Sequence, residues 1–197
     1  DLGVAVGAHP GYPDLAGFGR RDMGMSPEEV HNSILYQVGA LWAVARAHGV
    51  KLAHVKAHGA LYNRAAVDPT LAKAIATAVA RLDMGLVLVG LAGSAMEAAA
   101  LEAGVPFAGE AFPDRAYTAA GTLVSRKQPG SLITDPQEVA ARAVRMARDR
   151  TVVAVDGSVI KLNCRTLCVH GDSIHAAEVA HAVRRAIEDA GIEVLPL

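Results

Sequence analysis

Three of the eight histidines in this 197-residue chain each close an apolar run and lead directly into a turn. The runs are Val4-Ala5-Val6-Gly7-Ala8-His9-Pro10-Gly11, Leu52-Ala53-His54-Val55-Lys56-Ala57-His58-Gly59 and Thr166-Leu167-Cys168-Val169-His170-Gly171-Asp172. Imidazole changes charge near neutral pH, so it can give or take a proton under ordinary conditions. Apolar strands that feed a glycine-containing loop and then a helix build parallel α/β sheets and barrels, whose chemistry gathers at the carboxyl ends of the strands. The three histidines are therefore expected on one active-site rim.

Each histidine comes with companions. After His9, the loop carries Asp14, which two prolines and several glycines can hold towards the same ligand, and Arg20-Arg21, a pair able to grip a carboxylate or phosphate. The alternative is an ordinary surface loop with solvated arginines. Lys56 and His58 point to one side of their strand because side chains alternate, and Tyr62 follows within a turn. A lysine there is seldom a packing residue, and the competing reading is a buried salt bridge. His54 shares that face more deeply and is expected to be a core histidine with its hydrogen bonds satisfied. In the long connection from Glu110 to Thr134, Glu110 is a candidate general base or supporting carboxylate, Asp114 and Arg115 complete a Glu-Asp-Arg cluster with it, and Phe112 and Tyr117 are an aromatic pair. Asp114–Arg115 could also be a simple surface pair. His170 and Asp172 flank Gly171 as a candidate acid/base couple, unless Asp172 only starts a helix. His31, His48, His175 and His181 fall on helical patterns and are expected to be solvated.

The elements that must position these residues alternate between strand and helix. Ser26-Pro27-Glu28-Glu29 is a capping box, and Ile34, Leu35, Val38, Leu41, Trp42 and Ala45 recur at helical spacing up to Gly49. A strand at 51–57 follows, then a helix from Asp68-Pro69 to Leu82, a strand at 85–90, a helix from Ser94 to Gly104 and a strand at 105–109. Asp135-Pro136 opens another helix, and Asp156-Gly157 sits between two short strands as a hairpin turn. A strand at 166–170, a helix from about Ser173 to Ala190 and a terminal strand at 192–195 complete the chain. With neither linker nor repeat, it reads as one α/β barrel-like domain over residues 1–197 or an open doubly wound sheet.

Net charge is −1 with mixed signs and 52% hydrophobic residues. No basic stripe suggests nucleic acid, no polybasic patch or long apolar run suggests membrane, and a cytoplasmic setting is expected. Cys164 and Cys168 are too far apart along a strand for a disulfide and lack the second pair a zinc knuckle needs, so reduced thiols are expected.

Gly7–Asp14 with Gly17-Phe18-Gly19-Arg20-Arg21, Val55–Asn63, Glu110–Tyr117 and Cys168–Asp172 together resemble, in order and over essentially the whole chain, the LamB/YcsF family. The resemblance implies an irregular seven-stranded βα barrel of the glycoside hydrolase/deacetylase type. It also implies one component of a 5-oxoprolinase, opening 5-oxo-L-proline to L-glutamate with ATP and two partner subunits, ATP and Mg being bound through the partners. His9, His58, Glu110, Asp114 and His170 are then candidates for acid and base. Lys56, Arg20, Arg21 and Arg115 are candidates for the substrate carboxylate, with Asp14, Tyr62 and Asp172 nearby in the same loops.

Three departures stand out. The family's opening Asn-Cys-Asp-x-Gly-Glu and Gly-Phe-His-Ala-Gly-Asp motifs are missing, Ala57 replaces a proline before the histidine, and Ala120-Gly121 stands where Asp-Gly is common. Since Asp1-Leu2-Gly3 runs straight into a strand, the barrel is expected to be incomplete at its N-terminus and any divalent-metal site incomplete with it. Two other readings follow. One is a metal-dependent carbohydrate deacetylase or hydrolase. The other is a truncated, non-catalytic partner-binding subunit, which as a homo-oligomer could hide an unpaired edge.

Overall fold

The structure is a computed structural model that describes residues 3–171 and 175–197. Asp172 lies outside the described residues. The chain divides into two compact units, Asp1–Ala108 with Pro196–Leu197, and Gly109–Leu195.

In the first unit the elements are β1 (Val6–Ala8), α1 (Pro27–Ala47), β2 (Leu52–Lys56), α2 (Gly59–Val67), α3 (Pro69–Leu82), β3 (Val87–Leu91), α4 (Ala95–Ala103) and the start of β4 (Phe107–Ala111). β1 pairs parallel with β2, and β2 with β3. The capping box of α1 forms: Ser26 Oγ accepts from the Glu29 N–H, and the Glu29 carboxylate accepts from the Ser26 N–H. Asp68 caps α3 through the Thr70 and Leu71 N–H groups. α3 packs between α1 and α4, and its buried Ala72, Ala74, Ala76 and Ala78 let the helices approach closely. Ile34, Val38, Ile75, Val79, Leu88 and Met96 fill the core.

Three expectations change here. The residues after His58, read as a loop, form α2. Leu41 and Trp42 remain exposed, because the buried stripe of α1 runs through Val30, Ile34, Val38 and Ala45. His31 is docked rather than solvated, its Nδ1 lying 3.2 Å from the Ala74 carbonyl oxygen.

The second unit contains the rest of β4, α5 (Pro136–Arg148), a hairpin of β5 (Thr151–Val153) and β6 (Val159–Lys161), then β7 (Thr166–Leu167) and α6 (Ala176–Asp189). β7 pairs parallel with the end of β4. The fold is α/β, and the expected parallel βα succession is present. α5 and α6 bury Val139, Ala143, Val179, Val183 and Ile187 against one another. The Asp156-Gly157 hairpin forms as expected, with Gly157 at φ +86°. Residues 192–195 do not form a strand: the chain is irregular after α6. Cys164 and Cys168 are not joined in a disulfide.

Candidate functional site

In the first unit, His9 directly follows β1, and His58 is the N-cap residue of α2, two residues beyond β2. The His58 N–H donates to the Pro10 carbonyl at 2.8 Å, which ties the two strand ends together. The rings meet edge to face, with His58 Nδ1 3.0 Å from His9 Nε2. At the outer ends of this row, His9 Nδ1 is 2.8 Å from the Lys56 carbonyl oxygen and His58 Nε2 is 2.7 Å from the Phe18 carbonyl oxygen.

The loop that supplies Phe18 is built to aim that carbonyl. Asp14 is buried, accepts from the Gly17 N–H and forms an ion pair with Arg21. Phe18 sits at φ +54°, in the left-handed region, and its ring lies edge-on to His58. Gly17 is required by contact: a Cβ there would overlap the Asp14 carboxylate and the Arg21 Nε. The Arg21 guanidinium holds the Asp14 carboxyl down to about pKa 2. Arg20 lies over the Phe18 ring at 5.2 Å.

His9 is exposed as a residue, yet protein crowding on its ring side dominates and lowers its pKa to about 4. Its bond to the Lys56 carbonyl acts the other way, while the charges of Lys56, His58 and His54 lower it further. Lys56 lies on the same face of β2 as His54, its Nζ 5.8 Å from the centre of the buried Tyr62 ring. His54 departs from expectation, since its Nδ1 is buried and has no hydrogen-bond partner among the described residues. Burial lowers its pKa. Gly7 makes room for this ring, as a Cβ there would fall onto the imidazole.

In the second unit, Asp114 and His170 come together across 56 residues of sequence. Asp114 Oδ2 accepts from the His170 N–H at 3.2 Å and lies 2.6 Å from His170 Nδ1. Both bonds converge on one carboxylate oxygen, so Nδ1 carries a proton, and in the neutral imidazole Nε2 would be the acceptor. Phe112 stacks on the imidazole with its ring centre 5.8 Å away. The other oxygen, Asp114 Oδ1, is buried without a hydrogen-bond partner among the described residues. Asp114 is therefore not half of a surface pair with Arg115. Arg115 is itself buried, at 3% exposure, and donates to the Ser131 and Val124 carbonyls. Burial lowers its pKa, and the guanidinium keeps its charge. Glu110 is also 3% exposed and lies within β4 rather than beyond its end.

Sequence reasoning missed two gripping residues. Gln37 on α1 accepts from the Gly11 N–H and donates to the Gly11 carbonyl at 3.1 and 2.8 Å, fixing the turn after His9. Arg142 on α5 donates to the Pro113 and Arg115 carbonyls at 2.8 and 2.6 Å, fixing the peptides on either side of Asp114. The available signal was position, because each is a polar residue beside the apolar stripe of its helix, Gln37 next to Val38 and Arg142 next to Ala143.

The family model for LamB/YcsF matches residues 1–197. The chain belongs to the LamB/YcsF family. A protein from Thermus thermophilus, named as the A component of 5-oxoprolinase, is 55% identical over 98% of this chain and 77% of its own length. One of the same name from Heliobacterium modesticaldum is 54% identical over 98% and 76%. The crystal structure of a lactam utilization protein from Thermus thermophilus superposes with a TM-score of 0.91 at 53% identity, over 99% of this chain and 78% of that one. The α/β architecture expected from the LamB/YcsF resemblance is thus shared with a solved structure. Among the described residues, no group of three or more His, Cys, Asp or Glu side chains is placed to hold a metal ion, and no helix is long and apolar enough to cross a membrane.

Proposed function

We propose that the chain is the A component of an ATP-dependent 5-oxoprolinase, which hydrolyses 5-oxo-L-proline to L-glutamate together with two partner subunits. The kinship to proteins named as that component supports the reaction class. The observation that carries the chemistry is the Asp114–His170 couple. A lactam is a poor electrophile, and ATP, held with Mg through the partner subunits, supplies the activation of its amide oxygen. What this chain contributes is a base of fixed tautomer. With Nδ1–H directed to Asp114, His170 Nε2 can take a proton from water as the water adds to the carbonyl carbon, and Asp114 then faces the imidazolium.

The substrate carboxylate needs a cation. Arg21 is engaged by Asp14, and Arg115 by backbone carbonyls. Lys56, at the end of the strand that leads to His58, and Arg20, over the Phe18 ring, are the other cations expected from the sequence. The test is 5-oxoproline-dependent ATP hydrolysis and glutamate release by this chain mixed with the two partner subunits. Turnover that disappears when this chain is omitted is expected. No turnover in the complete mixture would overturn the reading.

A further inference from the structure

We propose that the second unit carries a binding site for a small organic carboxylate, in the cavity between α5 and β5, where Arg145 supplies the cation and the rest of the lining is largely apolar. The site goes beyond the oxoprolinase reading and stands whether or not that reading holds.

The cavity follows from how α5 divides its faces. Val139, Ala140, Ala143 and Met146 are its buried stripe. Beside that stripe, Glu138, Ala141, Arg142 and Arg145 fall at spacings of three and four and share one face. This face meets β5, against which α5 packs. Ala141 is the small residue of the row, and the space it leaves is part of a cavity of about 210 Å3. Met146 and Val152, both buried, add apolar wall, and Thr151 lines it from the start of β5.

Two guanidinium groups line the cavity. Arg142 spends Nε and one terminal nitrogen on the Pro113 and Arg115 carbonyls. Arg145 donates through Nε to the Thr151 hydroxyl at 3.0 Å, which fixes the side chain and leaves both terminal nitrogens outside that bond as a fork. Among the described residues no carboxylate lies at ion-pairing distance from either guanidinium. Burial is the main cause that lowers the Arg142 pKa, and the Arg145 charge lowers it further, while Glu138 acts the other way. Two cations against one carboxylate give the lining a net positive charge, and an anion bound there relieves the repulsion between the guanidiniums.

The walls choose among anions. A phosphate needs donors on several sides, whereas here one guanidinium fork shares the cavity with Ala141, Met146 and Val152. A carboxylate can take both terminal N–H groups of Arg145 in one plane and leave its carbon chain to the apolar wall. Volume sets the size. At about 210 Å3 the cavity falls below the roughly 300–1,000 Å3 that holds drug-sized ligands, which excludes a nucleotide and suits a carboxylate with a chain of a few carbons. Arg142 lines the cavity and also holds the peptides on either side of Asp114, so an occupant sits one side chain away from the loop that carries Asp114.

The test is a titration of the full chain with sodium pentanoate, followed by amide and methyl NMR shifts at ionic strength held constant with chloride. Saturating shifts at Met146, Val152 and Val153 are expected, with a Kd of about 1 mM. The uncharged 1-pentanol keeps the carbon chain and should not saturate. Arg145→Gln should weaken pentanoate binding about tenfold or more, and Arg145→Lys, which keeps the charge and loses the fork, should weaken it as well. Ala141→Leu fills the cavity from an exposed helical position and should abolish binding with the melting temperature unchanged. Shifts that stay linear up to about 20 mM, or pentanol or inorganic phosphate binding as tightly as pentanoate, would overturn the inference in the unaltered protein. Undiminished binding in a folded Arg145→Gln or Ala141→Leu chain would do the same. Turnover of 5-oxoproline with the partner subunits is scored separately, and its absence would count against the oxoprolinase reading alone.

Discussion

In the second unit His170 is held by a carboxylate, whereas in the first His9 and His58 are held by two backbone carbonyls. A carboxylate oxygen accepts the N–H at Nδ1 of His170 and leaves Nε2 outside the pair. Two carbonyls at the ends of a two-ring row take one N–H from each ring and leave the inner nitrogens facing one another. The residue type is the same, and the acceptor differs. Three histidines that look alike in the sequence are therefore held by different chemistry.

The comparison breaks most sharply at His170. Replacing it with Asn removes the lone pair of Nε2 while keeping a side chain that can still meet Asp114. We expect kcat for 5-oxoproline-dependent turnover to fall about 10³-fold with the melting temperature nearly unchanged. A loss below tenfold in a folded variant would mean that this couple is not the base. Asp114→Asn asks whether the carboxylate sets the tautomer. The amide either presents N–H to His170 Nδ1, reversing the ring, or buries an NH2 where Oδ1 has no partner among the described residues. About a hundredfold lower kcat, with little change in KM, is the expected result in steady-state assays. A change confined to KM would assign Asp114 to binding instead.

Backbone space should matter more in the first unit, where the histidines depend on carbonyl positions. Gly59 lies at φ +59°, and a Cβ there would overlap the Gly19 carbonyl, next to the one that receives His58. Gly59→Ala should cost about 2 kcal/mol in denaturant unfolding. Unchanged stability would show that the Phe18 loop can move away from Gly59 without cost.

Much of this arrangement was legible in the sequence, and the illegible part has a physical pattern. The strand ends carrying His9, His58 and His170 followed from apolar runs closed by turns, and the helix starts at Ser26, Asp68 and Asp135 from their capping residues. Side-chain periodicity carries that kind of information. The acceptor for His58 is a main-chain oxygen of Phe18, and no residue type advertises where its carbonyl points. Likewise Arg115, read as a cation for substrate, spends its donors on carbonyls sixteen and nine residues away, a contact that only the folded loop creates. The α2 helix was missed because Gly59, at φ +59°, looked like loop, whereas it is the residue that lets the chain turn into the helix.

The smallest effect concerns acid stability in the first unit. The His9 pKa is lowered to about 4 in the folded chain from an ordinary value of 6.5. Between those values the unfolded chain binds a proton at this position that the folded chain refuses. Folding stability is therefore fully present above about pH 6.5 and is lost as pH falls towards 4. Because the residue reaches solvent, screening reduces the contribution to about 1 kcal/mol. Urea unfolding at about pH 7 and about pH 4.5 should show His9→Asn losing less stability than the unaltered chain over that interval. An identical loss in both would mean that the folded chain does not resist protonation of His9.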